Sequence, residues 1–214
     1  MVQVQAPDLV TELTRACIAL SGRQVTGFSG PLEQVREAKT ALRLETSHAK
    51  LRADEGLYAL NLSDLIIPPA LSADVIVCQP VAQHQRDLLS GWRLAYDIEV
   101  LGATDSAEQR QRAADFLDGQ TADGNAWVAL DRGMPVSLSA FNATLPDMVQ
   151  LGGIYTPPEL RGRGFAKVAV AGSLLAGRER GASRAVLFTN NPSAVRTYEA
   201  LGFARVGDFS LILF

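Results

Sequence analysis

"IYTPPELRGRGFAKVAV", residues 154–170, changes character three times in seventeen positions. Ile154, Tyr155 and Thr156 close an apolar run that starts at Met148, Pro157-Pro158 interrupts it, Arg161-Gly162-Arg163-Gly164 is cationic and glycine-rich, and the rest has the composition of a helix. Downstream, "SRAVLFT" (183–189) is short and apolar enough to be a strand covered on both faces. The result is a strand–loop–helix–strand unit, which crosses over right-handed and sets the helix N-terminus beside the end of its first strand. Amide N–H groups at such an end lack intrahelical partners and carry partial positive charge, so a phosphate suits them. Gly162 and Gly164 let the backbone come close, and Arg161, Arg163 and Lys167 add side-chain cations. The plain alternative is a surface turn whose glycines serve geometry alone.

The loop excludes two common phosphate motifs. A Walker loop needs GxxxxGK before Ser or Thr, and a dinucleotide fingerprint needs a third small residue after G-x-G with an acidic partner downstream. Neither is spelled here. The residues present read R-x-x-G-x-A at Arg161, Gly162, Arg163, Gly164, Phe165 and Ala166.

Working outward, the pattern predicts a mixed α/β fold. Leu9, Leu13, Ala16 and Leu20 recur at helical spacing over 8–20; Leu32, Val35, Ala38 and Leu42 mark an amphipathic helix after Gly30-Pro31. "GLYALNLSDLIIP" and "DVIVC" read as strands, and "QHQRDLLSGWRLAYDIEVLG" as a long helix. A second helix is expected over 106–118, ending at Gly119. Arg132-Gly133 joins two strands in a hairpin, "MVQLGGIYT" is a further strand, and Gly207-Asp208 suggests a turn between two short strands in the tail.

Of 214 residues, 47% are hydrophobic and 20% charged, enough for one sizeable core or two small ones. Net charge is −3, which argues against nucleic acid or an anionic membrane as partner, and any anion site must be local. No apolar run reaches the ~20 residues that span a bilayer. The opening "MVQVQAPDLV" lacks a charged segment followed by an apolar stretch, and Cys17 and Cys78 are isolated, so a reduced, cytoplasmic protein is expected. His48 and His84 lie apart in polar surroundings, and no metal site is expected.

The hexapeptide at 161–166, with the strand and prolines before it, resembles the acetyl-CoA loop of the GNAT superfamily of N-acetyltransferases. The Ala/Gly-rich helix ending in "RERGA", the strand "AVLFTN" and then "NPSAVRTYEALGF" continue the likeness. That last stretch is similar to the signature N-x-x-A-x-x-x-Y-x-x-x-G-F at Asn191, Ala194, Tyr198, Gly202 and Phe203, and the resemblance covers about 126–214. It implies a GNAT acyltransferase fold whose strand ending at Ile154, Tyr155 and Thr156 splays from the next one, with acetyl-CoA as cosubstrate between them. Ile154 and Thr156 would pair with the pantetheine amides, the amides from Arg161 to Lys167 would hold the pyrophosphate, and Asn191 would bind the CoA arm.

Transfer to an amine requires a neutral nucleophile, a donor for the oxyanion and a proton for the departing thiolate. Tyr198, seven residues after Asn191, suits the third role; the alternative packs it with Leu201 and Phe203. Trp92, Tyr96 and Glu99 recur at i, i+4 and i+7, so aromatic walls would desolvate Glu99 and raise its pKa, making it a base candidate beside Trp92 and Tyr96 as substrate contacts. The competing arrangement buries both aromatics in the core with Glu99 at the rim; Asp97 is a second base candidate, and Gln150 would orient substrate. The acceptor is a small-molecule or peptide amine, and oligomeric state, a homodimer included, stays open. Transfer of another acyl or aminoacyl group, and non-catalytic acyl-CoA binding, are the alternatives.

Residues 1–80 are expected to form a smaller α/β portion beside a GNAT domain over 81–214. The turn–helix "GFSGPLEQVREA" followed by "GLYALNL" echoes the order around 161–189, so the first portion reads as a degenerate GNAT-like half without cations near Gly30-Pro31.

Overall fold

A computed structural model describes residues 1–73 and 75–214. In chain order the elements are β1 (Val2–Gln3), α1 (Val10–Ser21), β2 (Gly27–Pro31), α2 (Leu32–Ala41), β3 (Leu51–Asn61), α3 (Pro69–Ser72), β4 (Ile76–Pro80) and α4 (Arg86–Leu101). They continue as α5 (Ala107–Ala122), β5 (Ala126–Asp131), β6 (Met134–Thr144), β7 (Met148–Tyr155), α6 (Phe165–Glu179), β8 (Arg184–Thr189), α7 (Pro192–Glu199) and β9 (Ala204–Leu213). The fold is mixed α/β, as expected. The first residue of the expected strand "DVIVC", Asp74, lies outside the described residues.

Internal packing divides the chain into two units. One comprises Met1–Tyr58, Phe188–Asn191 and Arg205–Phe214, the other Ala59–Leu187 and Pro192–Ala204, so position 80 falls inside the second. The first unit draws on the C-terminus because Gly27–Pro31 of β2 pairs antiparallel with Phe209–Leu213 of β9. Its core gathers Val4, Val10, Phe28, Val35, Ala38 and Ile212, and the Phe28 and Phe214 rings meet edge-on at 5.9 Å. Strand β2 runs straight into α2 through Pro31, with no phosphate-type loop between them. Gly30 serves packing instead: a Cβ there would sit 2.3 Å from the Val4 carbonyl oxygen on the neighbouring segment.

In the second unit β4, β5, β6 and β7 are antiparallel neighbours in that order, and β8 joins β7 in parallel. Val168 and Ala169 of α6 pack with Ala129 and Val136, while Leu89 of α4 and Leu117 of α5 pack with Ala126, Val128 and Leu138. The helices therefore cover opposite faces, as the two-residue alternation of β5 requires. Val136 and Leu138 break that alternation on β6 because the register skips Val136, a one-residue bulge that turns its side chain over.

Three expectations about elements are corrected. Helix α5 runs through Gly119 to Ala122, since nothing crowds that glycine and the chain turns only at Gly124, φ +68°. Strand β9 is continuous from Ala204 through Gly207-Asp208 to Leu213, and its last five residues, Phe209–Leu213, pair with β2 rather than folding back on the strand's own first half. On α1 the apolar series is inverted: Leu9, Leu13 and Leu20 are exposed, while Val10 and Thr14 are buried.

Candidate functional site

Strand β7 is the element on which the site is built. Its Met148, Val149 and Gln150 are in register with Arg184, Ala185 and Val186 of β8, and there the parallel ladder stops. On its other side β7 stays paired with β6 out to Tyr155, opposite Leu138. The edge from Leu151 to Tyr155 thus keeps its backbone donors and acceptors free of β8 among the described residues, a template for another extended chain. Gln150 sits at the point of parting.

Two bulges shape that edge. The register passes from Ala140↔Gly152 to Leu138↔Tyr155, so three steps on β7 oppose two on β6, and Gly153 takes the extra position at φ +66°. Asn142 bulges from β6, and its side chain occupies the space where a Cβ on Gly152 would stand. Glycines at 152 and 153 meet two separate demands, close approach and left-handed backbone.

The chain then enters the loop. Arg161, Gly162 and Arg163 are exposed, Gly162 and Gly164 have φ of +78° and +82°, and α6 starts at Phe165 with no side-chain cap. Fifteen residues of aligned peptide dipoles end on these uncapped amides. The Phe165 side chain is buried with Ile76, Ala129 and Val136, so only its backbone can serve a ligand. Ser139 and Ser173 hydroxyls, both buried, meet at 2.9 Å and fix α6 to β6. Ser137 holds the strand end similarly: its Oγ lies 2.8 Å from Thr156 Oγ1 and donates to the Tyr155 carbonyl at 3.2 Å.

The family model described as Acetyltransferase (GNAT) family matches residues 91–203 of the 214. The chain belongs to the GNAT family of acetyltransferases. Acetyltransferase Atu2258 of Agrobacterium fabrum is 39% identical over 55 residues, 26% of this chain and 40% of that relative's length. The chain therefore spans well under two thirds of the curated relative it matches. A GCN5-related N-acetyltransferase from Kribbella flavida aligns with a TM-score of 0.59 at 20% identity, covering 99% of this chain and 77% of its own. A GNAT-family acetyltransferase from Colwellia psychrerythraea gives 0.62 at 13%, covering 100% and 75%. These likenesses concern the fold.

Within the GNAT fold, α4 lies against β7, and the Trp92 and Tyr155 ring centroids are 6.5 Å apart. Trp92 is half-buried against the Val81, Leu89 and Leu117 cluster. Tyr96 is half-buried and couples electrostatically to Tyr198. The expectation for Glu99 is overturned: it is exposed, with its Oε2 2.7 Å from Arg161 Nη2, and that hydrogen bond holds its carboxyl below the usual range instead of above it. The hydrogen bond from Arg161 outweighs the desolvation that acts in the opposite direction. Arg161 also donates from Nε to the Thr156 carbonyl at 2.9 Å, which occupies one lone pair of a group expected to serve pantetheine.

Asp97, the second base candidate, is buried and belongs to a structural network. Its Oδ1 faces Arg93 Nη2 at 2.9 Å and its Oδ2 accepts from Gln109 Nε2 at 2.8 Å. The Arg93 guanidinium stacks 3.7 Å over Phe116 and lies 3.0 Å from where a Cβ on Gly153 would be. Arg93, Gly153 and Ser137 are the residues that sequence reasoning missed. The one local signal was the serine alternation in "VSLSAF", because polar residues at inward strand positions need partners.

Tyr198, on α7, is 7% exposed, with its ring edge-on to Phe203 at 5.8 Å. Burial pushes its phenol well above the ordinary range, with Tyr96 adding to the shift. Asn191 precedes α7, is exposed, and donates its backbone N–H to Thr189 Oγ1 at 3.1 Å. Among the described residues there is no group of three His, Cys, Asp or Glu able to hold a metal ion.

The loop glycines give a direct test. Gly164→Val forces a β-branched residue to φ +82°, at a cost of at least ~1–2 kcal/mol. If the loop receives acetyl-CoA, as the family resemblance implies, affinity for it should fall about 5- to 30-fold by calorimetry, and an unchanged Kd would show that the loop does not carry the ligand.

Proposed function

We propose that this chain is an N-acetyltransferase moving the acetyl group of acetyl-CoA to the amine of a small-molecule or peptide acceptor, by direct attack in a ternary complex. One observation carries the reading: β7 leaves β8 at Gln150 and runs, unpaired on that side, to a helix whose first amides are uncapped. A thioester arm needs an extended backbone edge to lie along, and its pyrophosphate needs amides and cations at that edge's far end. Both are contributed by β7, the loop and α6, with Arg163 and Lys167 as the available cations.

In this reading the acceptor amine attacks the thioester carbonyl carbon, the C–S bond breaks, and Tyr198 gives its proton to the departing thiolate. The proton lost by the amine leaves through water in this reading, which the engagement of Glu99 by Arg161 and of Asp97 by Arg93 and Gln109 supports. Direct transfer is supported by the chemistry of the cysteines. Burial pushes the Cys78 thiol up to about 12, and its Sγ is turned to the Ala169 carbonyl at 3.6 Å, so it is a poor nucleophile for an acyl-enzyme. Cys17 is exposed on α1 in the other unit. Two free thiols and an acyl-CoA donor also fit a reducing cytoplasm; no helix among the described residues is long and apolar enough to cross a membrane.

Calorimetry with CoA, followed by thiol release from acetyl-CoA over a pooled amine library, tests the assignment. Binding with turnover is expected. Binding without turnover across a broad library would favour a non-catalytic acyl-CoA module, and no binding at millimolar CoA would remove the function altogether.

A further inference from the structure

We propose that Glu99 is a positioning residue for the donor loop: it reaches from the last turn of α4 to hold Arg161, and through Arg161 the strand end and the amides that receive the pyrophosphate. The inference rests on the acyl-CoA reading above and assigns within it a residue whose role the loop motif does not include. Three observations converge. Arg161 makes two contacts in different directions, Nη2 to Glu99 Oε2 at 2.7 Å and Nε to the Thr156 carbonyl at 2.9 Å, which ties α4, the end of β7 and the loop together at one guanidinium. Its charged carbon also lies 5.7 Å from the centre of the Tyr155 ring, the ring that Trp92 meets from α4, so the same three elements touch twice.

The third observation concerns the helix. Glu99 stands two residues before the end of α4, and the last turn of that helix carries no basic residue. An acidic side chain there opposes the macrodipole, and the Arg161 guanidinium is the cation that offsets it. Arg161 is therefore committed to the fold of its own loop, reaching back toward β7 rather than forward to the helix start. The phosphate charge falls to Arg163, Lys167 and the amides, while Arg161 contributes its place in the chain.

Two effects oppose each other if Glu99 loses its charge. The loop loses an anchor, which weakens donor binding; Arg161 gains freedom to reach a phosphate, which strengthens it. The anchor should prevail, because the Nε bond to Thr156 still directs the side chain away from the helix N-terminus. Both partners are close to half exposed, so the effect is modest.

Calorimetry and kinetics of the full chain carrying Glu99→Gln decide it. Wild-type binding of CoA is measured first, so that failure of the acyl-CoA reading is seen by itself. The variant should then bind CoA about three- to fivefold more weakly, raise KM for acetyl-CoA by the same factor, and keep its melting temperature and the kcat of wild type. Glu99→Asp should recover part of the loss, and the difference from wild type should shrink in molar salt. In a cycle with Arg161→Gln the double variant should be no weaker than Arg161→Gln alone. Unchanged CoA affinity overturns the proposal. So does tighter binding, which would make Glu99 a competitor of phosphate, and so does a fall in kcat with intact affinity, which would return Glu99 to the chemistry as a base.

Discussion

Tyr198→Phe is expected to lower kcat about 10²-fold while leaving KM for acetyl-CoA and the unfolding midpoint close to wild type. The variant keeps the ring that meets Phe203 edge-on and removes only the hydroxyl. A thiolate with pKa near ~8.5 can leave unaided, so the acid accelerates the step without being indispensable, which bounds the loss near two decades. The direction of the phenol's shift matters for pH dependence. Because burial raises it, the proton stays on Tyr198 throughout the neutral and mildly alkaline range, and the acid's contribution is not lost below about pH 10. The rise of kcat/KM with pH should therefore follow the acceptor amine's own deprotonation, with no alkaline decline before that limit. Rapid-mixing or steady-state assays across that range check both points. Wild-type turnover in the variant would remove Tyr198 from the mechanism, and equal losses of activity and stability would leave it a packing residue.

Asp97→Ala should cost about 3–5 kcal/mol of stability, a large part of what a domain this size holds. Only 11% of the Arg93 side chain and 6% of the Asp97 side chain are exposed. The 2.9 Å approach is ionic rather than a well-directed hydrogen bond, and Arg93 Nε has no hydrogen-bond partner among the described residues. Taking away the carboxylate strands a guanidinium against Phe116 and the bulge at Gly153. Urea unfolding measures the loss. Replacing both partners, as Arg93→Met with Asp97→Leu, should regain most of it, since the apolar pair avoids the cost of desolvating charge. By contrast, removing Glu33 or Glu108, whose arginine partners are exposed helix neighbours, should not move the midpoint measurably. A midpoint in Asp97→Ala equal to wild type would mean that water reaches Arg93 and that the network is not structural.

What could be read from the sequence was local. The strand, the glycine-rich loop at Arg161–Gly164 and the helix after it were legible because they are adjacent in the chain, and the proposal of a phosphate site rests on them. The hairpin at Arg132-Gly133 was legible for the same reason, with both residues at positive φ. What stayed hidden depends on partners far away in sequence. Glu99 looked like a base candidate beside Trp92 and Tyr96, yet Arg161, 62 positions on, takes its charge. Gly207-Asp208 has turn composition, but the strand runs on through it to Phe209–Leu213, which pair with β2 from the other end of the chain. The inverted face of α1 reflects a pattern that fits helical period without saying which side meets the core. The parting of β7 from β8 leaves no trace in either strand, since both remain apolar beyond the last paired residue.

The crowding between Cys78 and Gly172 has a practical corollary. A Cβ at position 172 would stand 2.3 Å from that of Cys78, so the sulfur is pressed against helix backbone with its proton firmly on. A chromogenic aryl disulfide would consequently suit an assay of the proposed acetyl-CoA reaction, with Cys78 the slower of the two thiols to consume it. After an early equivalent from exposed Cys17, the colour that develops would count the coenzyme that the proposed reaction liberates.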